Sequence, residues 1–244
     1  MPEQVTISVV ICAYNEEQWI ENTLQSLTKQ RLRPDEVIVV NNASTDHTAE
    51  IVEAFIKNHP ELHTRLIDEP KKGLHHAREA GWRAASSELI AMTDADIQFP
   101  PDWLEIIATS FSESDVAAIT GIVRYPNAPI FIDWVTWICD QLYQPEGIGK
   151  WITDEYVLNG GNSAYRRTAL EAVNGYLDKP ADMLEDRYMS RQIHQANFKI
   201  KFVRNLKVWH SFRRFEKDGW RGYMKYIFFY DVETVYPDHL GEES

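Results

Sequence analysis

Asp94-Ala95-Asp96 directly follows the apolar run Glu88–Thr93. In an extended segment, residues i and i+2 point to the same side. Both carboxylates would therefore face one point at the end of a buried strand. Two hard oxygen ligands there suit Mg²⁺ or Mn²⁺ bridging to a diphosphate, although a polar turn closing a strand uses the same residues. A second acidic pair, Glu185-Asp186, precedes the helical run Arg187–His194. A carboxylate there can take a proton from an attacking hydroxyl, or simply favour a helix N-terminus through its dipole. Gly160-Gly161-Asn162-Ser163 allows a ligand close to the backbone, or forms a β-bulge. His210 follows the strand-like Leu206-Lys207-Val208. Its imidazole could complete the Asp site, or be satisfied structurally. Arg213, Arg214 and Lys217 lie just beyond, and guanidinium suits phosphate.

These residues need a frame. Val5–Cys12 is a short β-branched run, and Glu36–Val40, Leu62–Asp68 and Glu88–Thr93 are similar. Between them, Glu17–Gln30, Thr45–Asn58 and Leu74–Ala85 carry apolar residues at helical spacing, with Ser44 or Thr45 as the cap of the second. This alternation predicts an α/β fold with a mostly parallel central sheet and helices on both faces. In such sheets, ligands bind beyond the carboxyl ends of the strands. After Asp96 the rhythm changes. Pro100-Pro101 opens a helix to about Ser112. Val116–Arg124, Val157–Arg166 and Lys199–Arg204 read as strands, Leu184–Gln195 as a helix, and Gly219–Glu233 as an aromatic helix. Residues 125–156 give no regular pattern. The expected organisation is one domain, with a nucleotide-binding half over 1–96, an acceptor half over 97–215 and a basic aromatic segment over 216–244.

The four early strands end in Ala13-Tyr14-Asn15-Glu16, Asn41–Asp46, Lys71–Arg78 and Asp94–Asp96, so polar groups converge on one rim. At this point the chain resembles the inverting family 2 glycosyltransferases, which have the GT-A fold, a Rossmann-like sheet. The segments VVICAYNEEQWIENTLQSL, VIVVNNASTD, GLHHAREAGWRAASSELIAMTDAD, GGNSAYRR and LEDRYMSRQI carry the resemblance, over roughly residues 4–210. It implies a UDP- or GDP-linked sugar donor and a carbohydrate or lipid-linked acceptor. By the same resemblance, Ala13, Tyr14, Asn15, Glu16, Asn42 and Asp46 hold base and ribose, and Arg78 approaches the diphosphate. Asp94, Ala95 and Asp96 carry the ribose and a Mn²⁺ or Mg²⁺ ion, with His210 as a third metal ligand or a diphosphate contact. Asp186 is the base, Glu185 orients it or the acceptor, and Gly160, Gly161, Asn162 and Arg191 line the sugar and acceptor pocket. Two departures stand out. Asn41-Asn42 replaces the usual Asp-Asp, which leaves the choice of base open, and Glu79 stands where Asn is frequent.

The remaining numbers limit the function classes. The 244-residue chain has a formal net charge of −12, which disfavours nucleic acid. Its C-terminal part differs, with nine Lys or Arg over 199–225 against Glu216 and Asp218. The basic aromatic stretch 213–230 could rest on an anionic membrane surface, or pack on the body. Cys12 reads as a small core residue, and two cysteines give no disulfide framework. No stretch is long and apolar enough to span a bilayer, and no signal peptide is evident, so a cytoplasmic location, peripheral at the membrane's inner face at most, is expected. Alternatives are transfer to a polyprenyl phosphate and a non-catalytic nucleotide-sugar-binding protein. A dinucleotide dehydrogenase would need a Gly-rich loop after the first strand, where the chain has Ala13–Glu17 instead.

Overall fold

The structure is a computed structural model, and it describes residues 5–126, 128, 132, 134, 135, 138, 158–180 and 183–213. Strand β1 (Ile7–Ala13) is buried along its whole length, because helices cover both sheet faces. Successive side chains alternate between two cores. Val9, Ile11 and Ala13 enter one, with Leu24, Phe55 and Trp103. Val10 and Cys12 enter the other, with Ala77, Trp82 and Met189. The first core is closed by α1 (Ile20–Leu27), α2 (Thr48–Asn58) and α4 (Trp103–Ser110). The second is closed by α3 (Leu74–Ala84), α5 (Arg167–Ala172) and α6 (Glu185–Gln195).

The other strands are β2 (Glu36–Asn41), β3 (Thr64–Asp68), β4 (Leu89–Asp94), β5 (Ile97–Gln98), β6 (Val116–Arg124), β7 (Ser163–Arg166) and β8 (Lys199–His210). They form one sheet in the order β3-β2-β1-β4-β7-β6-β8-β5. The first four are parallel. β7 runs antiparallel between β4 and β6, β8 is parallel to β6, and β5 is antiparallel to β8. This is the mostly parallel, doubly covered sheet expected of the GT-A fold.

Several boundaries differ from the sequence expectation. α2 starts at Thr48, because the Asp46 carboxylate accepts from the Thr48 N–H at 3.0 Å and its hydroxyl at 2.5 Å. Ser44 and Thr45 instead bond to Asn15. The strand expected over Val157–Arg166 begins only at Ser163, since the chain turns at 159–162, where the Asn162 N–H donates to the Asn159 carbonyl. β8 runs six residues past Arg204 to His210. Its pairing with β6 jumps from Thr120↔Phe202 to Ile122↔Lys207, and that bulge re-aims the strand end. Gly121 accommodates it, since a Cβ there would lie 2.1 Å from the Leu206 carbonyl oxygen. The aromatic helix expected over Gly219–Glu233, most of segment 125–156 and Cys139 lie outside the described residues. No described helix is long and apolar enough to cross a membrane.

Candidate active site

The rim of the sheet is built by two interlaced loops. Asn15, after β1, takes a left-handed backbone (φ 55°). Its Oδ1 accepts from the Thr45 N–H at 2.8 Å, and its own N–H donates to Ser44 Oγ. Glu16 N–H donates to Thr48 Oγ1, and Glu17 N–H to Asp46 Oδ2. Burial works against the Asp46 carboxylate, but the bonds from Thr48 and Glu17 outweigh it and lower its pKa. Ala13 and Ala95 are buried, so they contribute backbone to the rim. Tyr14 is exposed, and Lys72 Nζ sits 4.7 Å above its ring. Asn42 is buried, and its amide is committed to the next loop. Nδ2 donates to the Glu69 and Lys71 carbonyls, and Oδ1 accepts from the Gly73 N–H. Asn41 donates to Asp68 Oδ1 at 2.8 Å.

Asp94 and Asp96 stand beside this rim, joined by the end of β8. His210 Nε2 lies 3.3 Å from Asp96 Oδ1 and 3.9 Å from Asp94 Oδ2. Burial works against an imidazolium, but the two carboxylates outweigh it and raise the His210 pKa. Ser211 Oγ donates to Asp96 Oδ2, and Arg213 Nε reaches the same oxygen at 3.1 Å. Arg213 also pairs with Glu16. Burial pushes the Glu16 carboxyl up to about 7 against the pull of Arg213, and the Asp96 charge adds to the rise. The two carboxylates are the right donor type for a hard divalent cation, and the imidazole beside them, when neutral, is a common metal ligand. Among the described residues, however, no three His, Cys, Asp or Glu side chains form a ready metal cage.

The second acidic pair sits across the edge. Glu185 and Asp186 open α6 and are both buried. Arg78, from α3, lies between the two carboxylate groups, 3.4 Å from Asp94 and 3.3 Å from Glu185. Burial opposes its charge, but Glu185 and Asp94 outweigh that and raise its pKa further. Cys12 lies close enough to feel these charges, yet burial dominates and pushes its thiol up to about 12, so it is inert. Gly160 and Gly161 border this cluster. Asn162 lies behind them, fully buried. Its Oδ1 accepts from Trp103 Nε1 at 3.0 Å, and its Nδ2 donates to the Ile122 and Leu206 carbonyls. Arg191 is exposed on α6. Ser211 and Trp103 escaped the sequence reading. Adjacency to His210 was the available signal for Ser211, whereas nothing in the sequence links Trp103 to residue 162.

The sequence pattern of "Glycosyl transferase family 2" matches residues 8–173. The chain belongs to glycosyl transferase family 2. Relatives of this family 2 chain include "Probable glycosyltransferase YdaM" of Bacillus subtilis (strain 168), 28% identical over 233 residues, covering 91% of this chain and 54% of the relative. The "Poly-beta-1,6-N-acetyl-D-glucosamine synthase" of Staphylococcus epidermidis is 27% identical over 211 residues, covering 83% and 49%. The family 2 chain thus spans about half the length of these relatives. Among solved structures, the mannosyltransferase PcManGT from Pyrobaculum calidifontis, in complex with GDP-Man and Mn²⁺, superposes with a TM-score of 0.69 at 23% identity, covering 86% of this chain and 58% of that one. That likeness establishes the shared fold.

Proposed function

We propose that the chain is an inverting glycosyltransferase that moves a sugar from a UDP- or GDP-linked donor to an acceptor hydroxyl, in the synthesis of a polysaccharide or glycolipid. The observation that carries this reading is the meeting of two acidic pairs at one sheet edge, Asp94/Asp96 and Glu185/Asp186, with Arg78 between them. Family membership and the nucleotide sugar bound by PcManGT support it.

The acceptor oxygen attacks the anomeric carbon from the face opposite the diphosphate. The new C–O bond forms as the bond to the diphosphate oxygen breaks, and the acceptor proton passes to the Asp186 carboxylate. One displacement inverts the centre and releases a nucleoside diphosphate. The first turn of α6 holds Asp186 in place, and its Oδ1 accepts from the Arg187 N–H at 2.7 Å. Asp94, Asp96 and His210 would hold Mn²⁺ or Mg²⁺. When bound, that ion supplies positive charge to the departing diphosphate. The interlaced Asn15–Asp46 loops fix the rim on which base and ribose lie, and the exposed Tyr14 offers a ring for stacking.

Thermal unfolding with UDP, GDP, ADP and CMP, each with and without Mn²⁺, tests the donor site. A nucleotide at a hundred times its Kd adds ~2.7 kcal/mol, or roughly 5–10 °C for a chain of this size. One nucleotide should act only with Mn²⁺, and Asp96→Ala should abolish its effect. If no nucleotide shifts the wild type in Mn²⁺, the proposal fails.

A further inference from the structure

Arg78 is 2% exposed. Its two terminal nitrogens face different carboxylates, Nη2 that of Asp94 and Nη1 that of Glu185. These acids come from β4 and α6, more than ninety positions apart in the sequence. At 2% exposure, with both terminal nitrogens turned to carboxylates, the guanidinium is not presented to a ligand at the surface, although its Nε–H has no hydrogen-bond partner. Its rigid planar fork holds the two carboxylates on separate nitrogens at a fixed spacing, which a single ammonium nitrogen does not reproduce.

The glycine pair forms the seat of this fork. A Cβ at Gly160 would lie 2.2 Å from Arg78 Nη2 and 2.3 Å from Nη1. A Cβ at Gly161 would lie 3.0 Å from Asp94 Oδ2. A methyl at 160 would therefore push the guanidinium off its two partners without removing any charge.

We propose that Arg78 is a positioning residue. It fixes the spacing between Asp94 at the donor edge and the Glu185–Asp186 pair, with Gly160 as its required seat, and it does not grip the diphosphate. This rests on the transferase reading above and assigns Arg78 a different task from the one its family resemblance implies.

The test is a double-mutant cycle in the full chain, using Arg78→Gln, Gly160→Ala and their combination, with Arg78→Lys as the conservative variant. Kd for UDP and GDP with Mn²⁺ is measured by calorimetry. Donor KM and kcat are read from nucleoside diphosphate release over a panel of UDP- and GDP-sugars. Thermal melts identify the folded variants. A misplacement of about 1 Å costs roughly 100-fold, so kcat should fall by about that much in Arg78→Gln and in Gly160→Ala, while Kd and KM stay within about threefold. Once the fork is gone, the methyl has nothing to displace. Gly160→Ala should then cost less than about threefold in the Arg78→Gln background, which is strong non-additivity. Additive losses, or a Kd that rises in step with the loss of kcat, overturn the proposal. If Arg78→Gln or Gly160→Ala does not fold, Arg78→Lys decides: reduced kcat at unchanged Kd supports it, and wild-type kcat refutes it. A wild type that binds neither UDP nor GDP overturns the transferase reading itself, and this inference with it. Turnover by the wild type alongside lost nucleotide affinity in the Arg78 variants overturns this inference alone.

Discussion

Asn162 separates a ligand group from a structural one. Its side chain is fully buried and makes three hydrogen bonds, to Trp103 Nε1, Ile122 O and Leu206 O. It thereby ties α4, β6 and the β8 bulge to the turn that carries Gly160 and Gly161. Asn162→Ala strips these partners, and each buried group left unsatisfied costs about 1–3 kcal/mol. A total of roughly 3–5 kcal/mol is expected, because carbonyls tolerate a lost partner better than an indole N–H does. At roughly 2–4 °C per kcal/mol, Tm should fall by about 6–20 °C. Asn162→Asp is the sharper variant. It keeps the shape and the bond from Trp103, but turns an oxygen toward two carbonyls that need donors. It should destabilise at least as much as Ala, despite removing no heavy atom. Urea and thermal unfolding measure both variants, with nucleotide affinity measured on the folded protein. If both variants keep the wild-type Tm and instead lose donor or acceptor binding, Asn162 is a pocket residue and the reasoning is wrong.

Asp186→Asn removes the proposed base and should lower kcat by roughly 10²–10⁴-fold with nucleotide-induced stabilisation unchanged; near-wild-type turnover would place the base elsewhere. Glu36 carries a pH-dependent share of stability. Burial opposes its charge, but bonds from Ser86, Arg65 and Ser8 prevail and lower its pKa to about 2 from 4.5. Because the folded value is depressed, this stability is full above the unfolded value of 4.5 and is lost as pH falls through about 2. After allowance for solvent screening it is worth about 1–2 kcal/mol. Glu36→Gln should therefore cost most near neutrality and progressively less as pH falls from 4.5 toward 2, and a pH-independent difference in urea unfolding would contradict this. At Gly81 a Cβ would lie 2.3 Å from Val10 Cγ1. Gly81→Ala should thus destabilise by about 1–3 kcal/mol, despite alanine's better helix propensity; a raised Tm would show that α3 can lift off β1 freely.

The strands of the first half are legible because burial on both faces demands continuous β-branched runs, and Val5–Cys12 and Glu36–Val40 supply them. β8 is legible as a strand to Arg204 but not as one continuous element to His210, because Asn205 and Lys207 interrupt its apolar pattern near the bulge, although Leu206 and Val208 are buried. The same limit applies to the site. Sequence reveals that Asn42, Asn162 and Glu79 are polar, but not which way they face. Asn42 and Asn162 point into the protein and bind backbone. Glu79 is buried and accepts from Trp82 Nε1 and the Tyr176 N–H, tying α3 to the turn after α5. Conversely, Arg213 could be read as a phosphate contact from its position, but its pairing with Glu16 and Asp96 depends on how β8 ends.

The buried charge of Arg78 carries an expectation for how the protein assembles. Asp94 is available as soon as the first four strands come together, but Glu185 arrives only when α6 docks. Until then, the core beside α3 holds a cation with half its compensation, a costly arrangement in a low-dielectric interior. An N-terminal fragment ending at Val173, where the family match stops, would contain β1–β4 and still lack that partner. Such a fragment should populate a loosened state in which α3 detaches to hydrate its arginine, and adding residues through α6 should restore a single cooperative transition. That outcome would make the Asp94–Arg78–Glu185 ion pair a folding checkpoint, through which the early strands depend on α6 for their completion.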